Sequence, residues 1–138
     1  MEDKSSAVIN EGMSKGILPP SAQTYVLLGK AEYVAEDVKA AKAAFDKALP
    51  LAKDGEPALQ IANIELTNSN YRQAKAMVTQ ALDKGVKHMG TAYLVLAESE
   101  RGLNNKSARI AALKKAAQQP ETAEHANRLL KELGASGK

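Results

Sequence analysis

Small and apolar residues return along this chain at a long, nearly constant interval. Tyr25, Leu28, Gly29, Ala41, Phe45 and Ala48 recur as Ala58, Ile61, Ala62, Ala74, Val78 and Ala81, and again as Tyr93, Leu96, Ala97, Leu113 and Ala116. Leu28 and Ile61 are 33 residues apart, and Ile61 and Leu96 are 35 apart. A period of this length marks helix–turn–helix units that bury their apolar faces on one another, which makes the chain an array rather than a single closed core. Arrays present extended curved surfaces, so the pattern implies partner binding and argues against a catalytic pocket.

Within each unit the apolar positions follow three- and four-residue spacings. Strand-like alternation is absent, and the breaks fall at short turns of Gly, Pro and Asn. The pattern predicts an all-α chain with helices near 4–15, 21–35, 37–52, 56–68, 71–84, 89–102, 105–118 and 121–133. Ser21, after Pro19-Pro20, is a candidate N-cap, Asp54 another, and Pro57 falls in a first turn where its missing N–H costs nothing. Asn68-Ser69-Asn70 and Asn104-Asn105 leave room only for antiparallel hairpins. Gly85 after Lys84 reads as a helix stop, and residues 134–138 as a disordered tail.

Composition narrows the function classes. A chain of 138 residues suits one domain, and with only 4% aromatic residues its helices must pack through small side chains. The 19 Lys and Arg against 16 Asp and Glu give +3, with both signs scattered, which is a solubility pattern and not a nucleic-acid footprint. Without cysteine there is no disulfide framework, thiol nucleophile or Cys-type zinc site. No segment approaches eighteen apolar residues, so no membrane insertion is expected. Met1 to Ser6 lack the layout of a signal peptide, and cytoplasm and periplasm fit the composition equally.

The segment Tyr25-x2-Leu28-Gly29-x2-Glu32, followed by Ala41-x3-Phe45-x2-Ala48, resembles the tetratricopeptide repeat, whose unit is about 34 residues. Tyr25 replaces the usual Trp and Glu32 the usual Tyr. The second copy keeps the small residues and loses bulky ones. The third carries Arg109 where the family has Ala, so its register could slip onto Ala108. The resemblance implies a right-handed superhelical solenoid of antiparallel helix pairs. It divides the chain into a half repeat at 1–20, repeats at 21–54, 55–88 and 89–120, a capping helix at 121–133 and the tail. Met13-Ser14-Lys15-Gly16-Ile17 aligns with Leu82-Asp83-Lys84-Gly85-Val86, so the chain is expected to start in mid-repeat, as the C-terminal piece of a longer array.

In this family the first helix of each repeat lines a concave groove. Carried over position by position, the groove residues here are Gln23, Val26, Lys30 and Tyr33, then Glu56, Leu59, Asn63 and Leu66, then Thr91, Leu94, Glu98 and Arg101. Tyr33, Leu59 and Leu66 would anchor a protein or peptide segment, with Lys30, Asn63, Glu98 and Arg101 orienting it. The positions that hold a two-carboxylate clamp in chaperone-binding members carry Val26, Lys30, Gln60, Thr91 and Val95, which disfavours that mode. Two rivals stand beside peptide binding: self-assembly into a homodimer through the open N-terminal half repeat, and service as an accessory domain of a larger enzyme.

No catalytic constellation stands out, and no cofactor is implied. His88 and His125 are the only histidines and form no metal-binding pair, Glu98 and Glu100 lie two apart on different helix faces, and no phosphate loop or nucleophile elbow is present. Glu32 and Glu65, at equivalent repeat positions, are expected to bond backbone or hydroxyl groups between helices. Lys39, Lys42, Lys47 and Lys53, and Lys114, Lys115, Arg128 and Lys131, form two basic stretches. They lack neighbouring aromatics for base stacking, so no nucleic-acid partner is expected.

Overall fold

The structure, a computed structural model, describes Ile9, Asn10, Gly12 and residues 21–134. Ile9, Asn10 and Gly12 are helical, and seven α-helices follow: α1 (Ala22–Val34), α2 (Val38–Ala48), α3 (Glu56–Thr67), α4 (Tyr71–Lys84), α5 (Met89–Gly102), α6 (Lys106–Ala116) and α7 (Ala123–Glu132). No strand occurs among the described residues. The rest of the helix expected at 4–15, and all but Gly134 of the expected tail, lie outside them.

Local chemistry explains the helix ends. The Ser21 hydroxyl accepts from the Thr24 amide at 3.2 Å, as an N-cap should. Gly55, not Asp54, is the N-cap residue of α3, although Asp54 Oδ1 still accepts the Glu56 amide at 3.1 Å. Pro50 ends α2 sooner than its apolar pattern suggests: it has no N–H for the ladder, and the chain tightens into a 3-10 turn over Leu49–Leu51. Gly85 closes α4 at φ +93°, a conformation open to glycine. The last helix starts two residues later than expected because Thr122, in the preceding turn, donates its hydroxyl to the Ala116 carbonyl at 2.7 Å.

Three of the connections are copies of one turn. Residues 35–37, 68–70 and 103–105 each place the middle residue in the left-handed region, with φ of 66° at Glu36, 62° at Ser69 and 61° at Asn104. The Asp37, Asn70 and Asn105 amides donate to the carbonyls of Glu32, Glu65 and Glu100 at 2.9, 2.8 and 2.9 Å. One residue earlier, Glu36, Ser69 and Asn104 donate to Tyr33, Leu66 and Arg101 at 3.0, 3.0 and 3.1 Å. These bonds satisfy the last carbonyls of the first helix and aim the second helix back along it. The same pattern settles the third register. Arg109 donates to Asn105 as Ala41 does to Asp37 and Ala74 to Asn70, each at 2.9 Å, so Arg109 itself occupies the small-residue position and no slip onto Ala108 takes place.

Where the length suggested one domain, the helices gather into two compact units, Met1–Lys53 and Asp54–Lys138. Neighbour-to-neighbour packing is how arrays divide. In the first unit α1 packs on α2, and Gly29 lets the ring of Phe45 lie against the α1 backbone; a Cβ there would stand 2.6 Å from Phe45 Cε1. Ile9, Leu28 and Ala44 form a buried cluster with Tyr25 and Ala31 against it. In the second unit α3 packs on α4 and α5, α5 on α4 and α6, and α6 on α7. Its terminal core joins Ala97, Ala112, Leu113 and Leu130. Gly102 leaves room for the Tyr71 ring between α5 and α4, since any Cβ at that position would run into the ring.

The residues at the Gly29 and Phe45 positions trade volume from repeat to repeat. Glycine faces Phe45 in the first pair. The equivalent positions hold Ala62 and Val78 in the second and Ala97 and Leu113 in the third, and apart from Gly29 every one of these residues is at most 2% exposed. The largest residue on the second helix, Phe45, goes with the smallest on the first, Gly29, while alanine goes with both valine and leucine.

Candidate functional site

The first helix of each pair carries the residues assigned to binding, and the structure sorts them into free, shared and committed groups. On α1, Gln23 and Lys30 are exposed, Val26 is half-buried, and Tyr33 is 44% exposed. Their spacing of three, four and three residues keeps them on one helix face. On α3, Asn63 and Leu66 are half-buried. Leu59, expected as an exposed anchor, is buried instead, with 4% of its surface accessible. The reason is that α3 packs against both α4 and α5, so its buried sector broadens to include Ala58, Leu59, Ile61, Ala62, Ile64 and Glu65. Leu59 therefore contributes packing and offers no free contact surface.

On α5, Leu94 is half-buried and leans on the terminal core, while Glu98 and Arg101 are bound to each other, with Arg101 Nη1 donating to Glu98 Oε2 at 3.0 Å. An exposed pair of this kind is worth about 0–1 kcal/mol, so a ligand carrying opposite charges could displace it at little cost. The helix that carries Asn63 and Leu66, α3, is in contact with the helix that carries Leu94, Glu98 and Arg101, α5. Val95, one of the clamp positions, is buried.

Two sets of interactions repeat with the turns, and neither was visible as a pair in the sequence. Asn70 Nδ2 donates to Glu65 Oε2 at 3.2 Å, and Asn105 Nδ2 to Glu100 Oε1 at 3.0 Å, so the buried carboxylates of the second and third repeats are held by an amide five residues on. Glu100 also receives Lys75 of α4, at 3.2 Å. The recurrence of Glu at 32, 65 and 100, with Asn at 70 and 105, was the signal that could have found this bond. Likewise Lys47 lies over the Tyr25 ring at 5.9 Å and Lys115 over Tyr93 at 6.0 Å, while the second repeat has Ala58 and Gln80 there. Lysine stems that cover aromatic faces help seal the helix pair.

The first turn departs from the other two. Asp37 stands where Asn70 and Asn105 stand, and a carboxylate cannot donate to Glu32. Its Oδ1 instead accepts the Ala40 amide at 3.1 Å and caps α2, a role the two asparagines do not take. Burial first, and the Asp37 charge second, raise the Glu32 carboxyl above the ordinary value of 4.5, with Lys47 pulling it back.

Among the described residues no group of three or more His, Asp or Glu side chains could hold a metal ion, and no helix is long and apolar enough to cross a membrane. His88 and His125 are both exposed. Arg109 carries a buried Nε without a hydrogen-bond partner, a consequence of placing a long polar side chain where Ala41 and Ala74 are fully buried. The chain matches no family model and no curated protein sequence.

Proposed function

We propose that the chain is a protein–protein interaction module, a tetratricopeptide-like array that winds as a right-handed superhelix and binds a protein segment along its first helices. The repeats are those at 21–54, 55–88 and 89–120, closed by the helix within 121–133. The observation that carries this reading is the recurrence of one turn three times, with the same backbone bonds, at the 33- and 35-residue spacing. Contact between the first helices α3 and α5 supports a continuous wall, and that wall carries polar groups free of the core, Asn63 and the displaceable Glu98–Arg101 pair. Binding then combines apolar contact at Tyr33, Leu66 and Leu94 with ionic and hydrogen-bond steering.

Site-specific photo-crosslinking in a lysate of the source cells tests the proposal. Probes at Lys30, Asn63 and Arg101 on first helices are expected to trap the same partner, while probes at Arg72 and Lys114 on second helices trap none. Capture only from the second helices would move binding to the other face. The triple variant Lys30→Glu, Asn63→Ala, Glu98→Lys should lose the partner with its helicity unchanged.

Self-association is the second reading, and one observation favours it. Among the described residues the exposed large apolar ones, Leu27, Tyr33, Val34, Val38 and Leu51, all lie in the first unit, with Val34 the most open at 74%. A unit that leaves this many large apolar side chains open to solvent can bury them against a second copy. Sedimentation equilibrium should show concentration-dependent dimerisation that Leu27→Asp and Val34→Asp remove; a monomer at all concentrations rejects this reading.

A further inference from the structure

The three turns form an internal control, and the first is the odd one. Its backbone bonds reproduce those of the other two to within 0.1 Å, so the main chains of residues 32 and 37 are related as those of 65 and 70 and of 100 and 105 are. In the second and third turns an amide N–H fills the gap between these side chains. In the first, both groups are carboxyls, and only a proton can make the same link. We propose that the α1–α2 turn is a proton-dependent joint, in which a proton held between Glu32 and Asp37 supplies the hydrogen bond that asparagine supplies in the two later turns.

The charged groups that act on Glu32 are Asp37, at the start of α2, and Lys47, near its end. Lys47 is also the cation over Tyr25, which leaves it a partial counterion and not a dedicated partner. Asp37 remains tied to the Ala40 amide by one oxygen, which leaves its other oxygen to accept from a protonated Glu32. The linkage has a definite sign. An acid whose folded pKa is raised binds its proton more tightly folded than unfolded, so its contribution is fully present below the ordinary glutamate range and is lost as pH rises through the folded value. The first helix pair therefore tightens on acidification. Tyr33, whose carbonyl accepts the Glu36 amide within this turn, is the exposed residue that the joint holds in place.

The test is a carboxyl carbon-13 titration of Glu32 in the full chain, with urea unfolding at pH 7 and pH 4.5, for the wild type and three variants. Asp37→Asn restores the amide donor, Asp37→Ser keeps a capping oxygen without charge, and Glu32→Gln supplies a permanent donor from the other side. The wild type should titrate above 4.5 at Glu32, and that midpoint should move down in Asp37→Asn and Asp37→Ser. The urea midpoint of the wild type should rise on acidification, and the rise should shrink in all three variants. Glu32→Gln should match or exceed the wild-type midpoint at pH 7, a gain that simple loss of a structural carboxylate would not produce. An unmoved Glu32 titration in both Asp37 variants, or an equal acid response in wild type and Glu32→Gln, overturns the proposal.

Discussion

The α1–α2 pair and the α5–α6 pair are built on the same turn, yet they hold together differently. The third repeat closes with buried Glu100 held by both Asn105 and Lys75, and Leu113 packs among Ala97, Ala112 and Leu130. The first has a half-buried Glu32 facing an acid, and a phenylalanine resting on glycine. One scaffold thus tolerates two solutions, a polar link that is permanent and one that depends on a proton, provided the backbone turn is kept. The lesson is that in a repeat the geometry belongs to the turn and the small positions, and the chemistry between them is free to drift.

The largest effects should come from the packing half of this comparison. Phe45→Ala removes the bulk that glycine makes room for and is expected to cost about 3–5 kcal/mol, whereas Val78→Ala, a smaller deletion at the equivalent place, should cost less; paired urea titrations measure the difference. Next in size, Asn105→Ala leaves Glu100 with one fewer donor in a buried site and should cost about 1–3 kcal/mol. Asn105→Asp should do the same at neutral pH and recover in acid, carrying the behaviour of the first turn into the third. A smaller gain is expected from relieving the left-handed turn residue. Ser69→Gly and Glu36→Gly should each stabilise by about 0.4–1 kcal/mol, and Asn104→Gly by less, because asparagine tolerates that conformation. An effect of similar size is expected at the ring contact, where Lys115→Gln should cost about 0.5 kcal/mol by uncovering Tyr93.

Much of the helical layout was legible because Gly, Pro and Asn punctuate it and because the small positions recur. The turn at 35–37 carried no such mark. Glu36 adopts a left-handed conformation that nothing in its side chain announces, and only its equivalence to Ser69 and Asn104 explains it. Arg109 was ambiguous for a similar reason: size favoured Ala108, but the backbone bond to Asn105 holds the register and leaves the arginine to fit. At the candidate site, Glu98 and Arg101 were recognisable as neighbours at three residues' spacing, while the burial of Leu59 was not, since it depends on α3 having two packed neighbours. The Glu–Asn link five residues apart spans a turn, and helical periodicity does not reach across turns.

The equivalence of the helix pairs is tested most directly by a double-mutant cycle between Gly29 and Phe45 that installs the Ala–Val combination of the second repeat. Gly29→Ala alone should destabilise, because its new methyl meets the Phe45 ring, and Phe45→Val alone should destabilise by opening a void. Combined, the two should recover stability through a favourable coupling of about 0.5–3 kcal/mol, the range seen for residues in direct contact. Strictly additive losses would mean that the first pair is not a version of the second, and the common repeat would have to be given up.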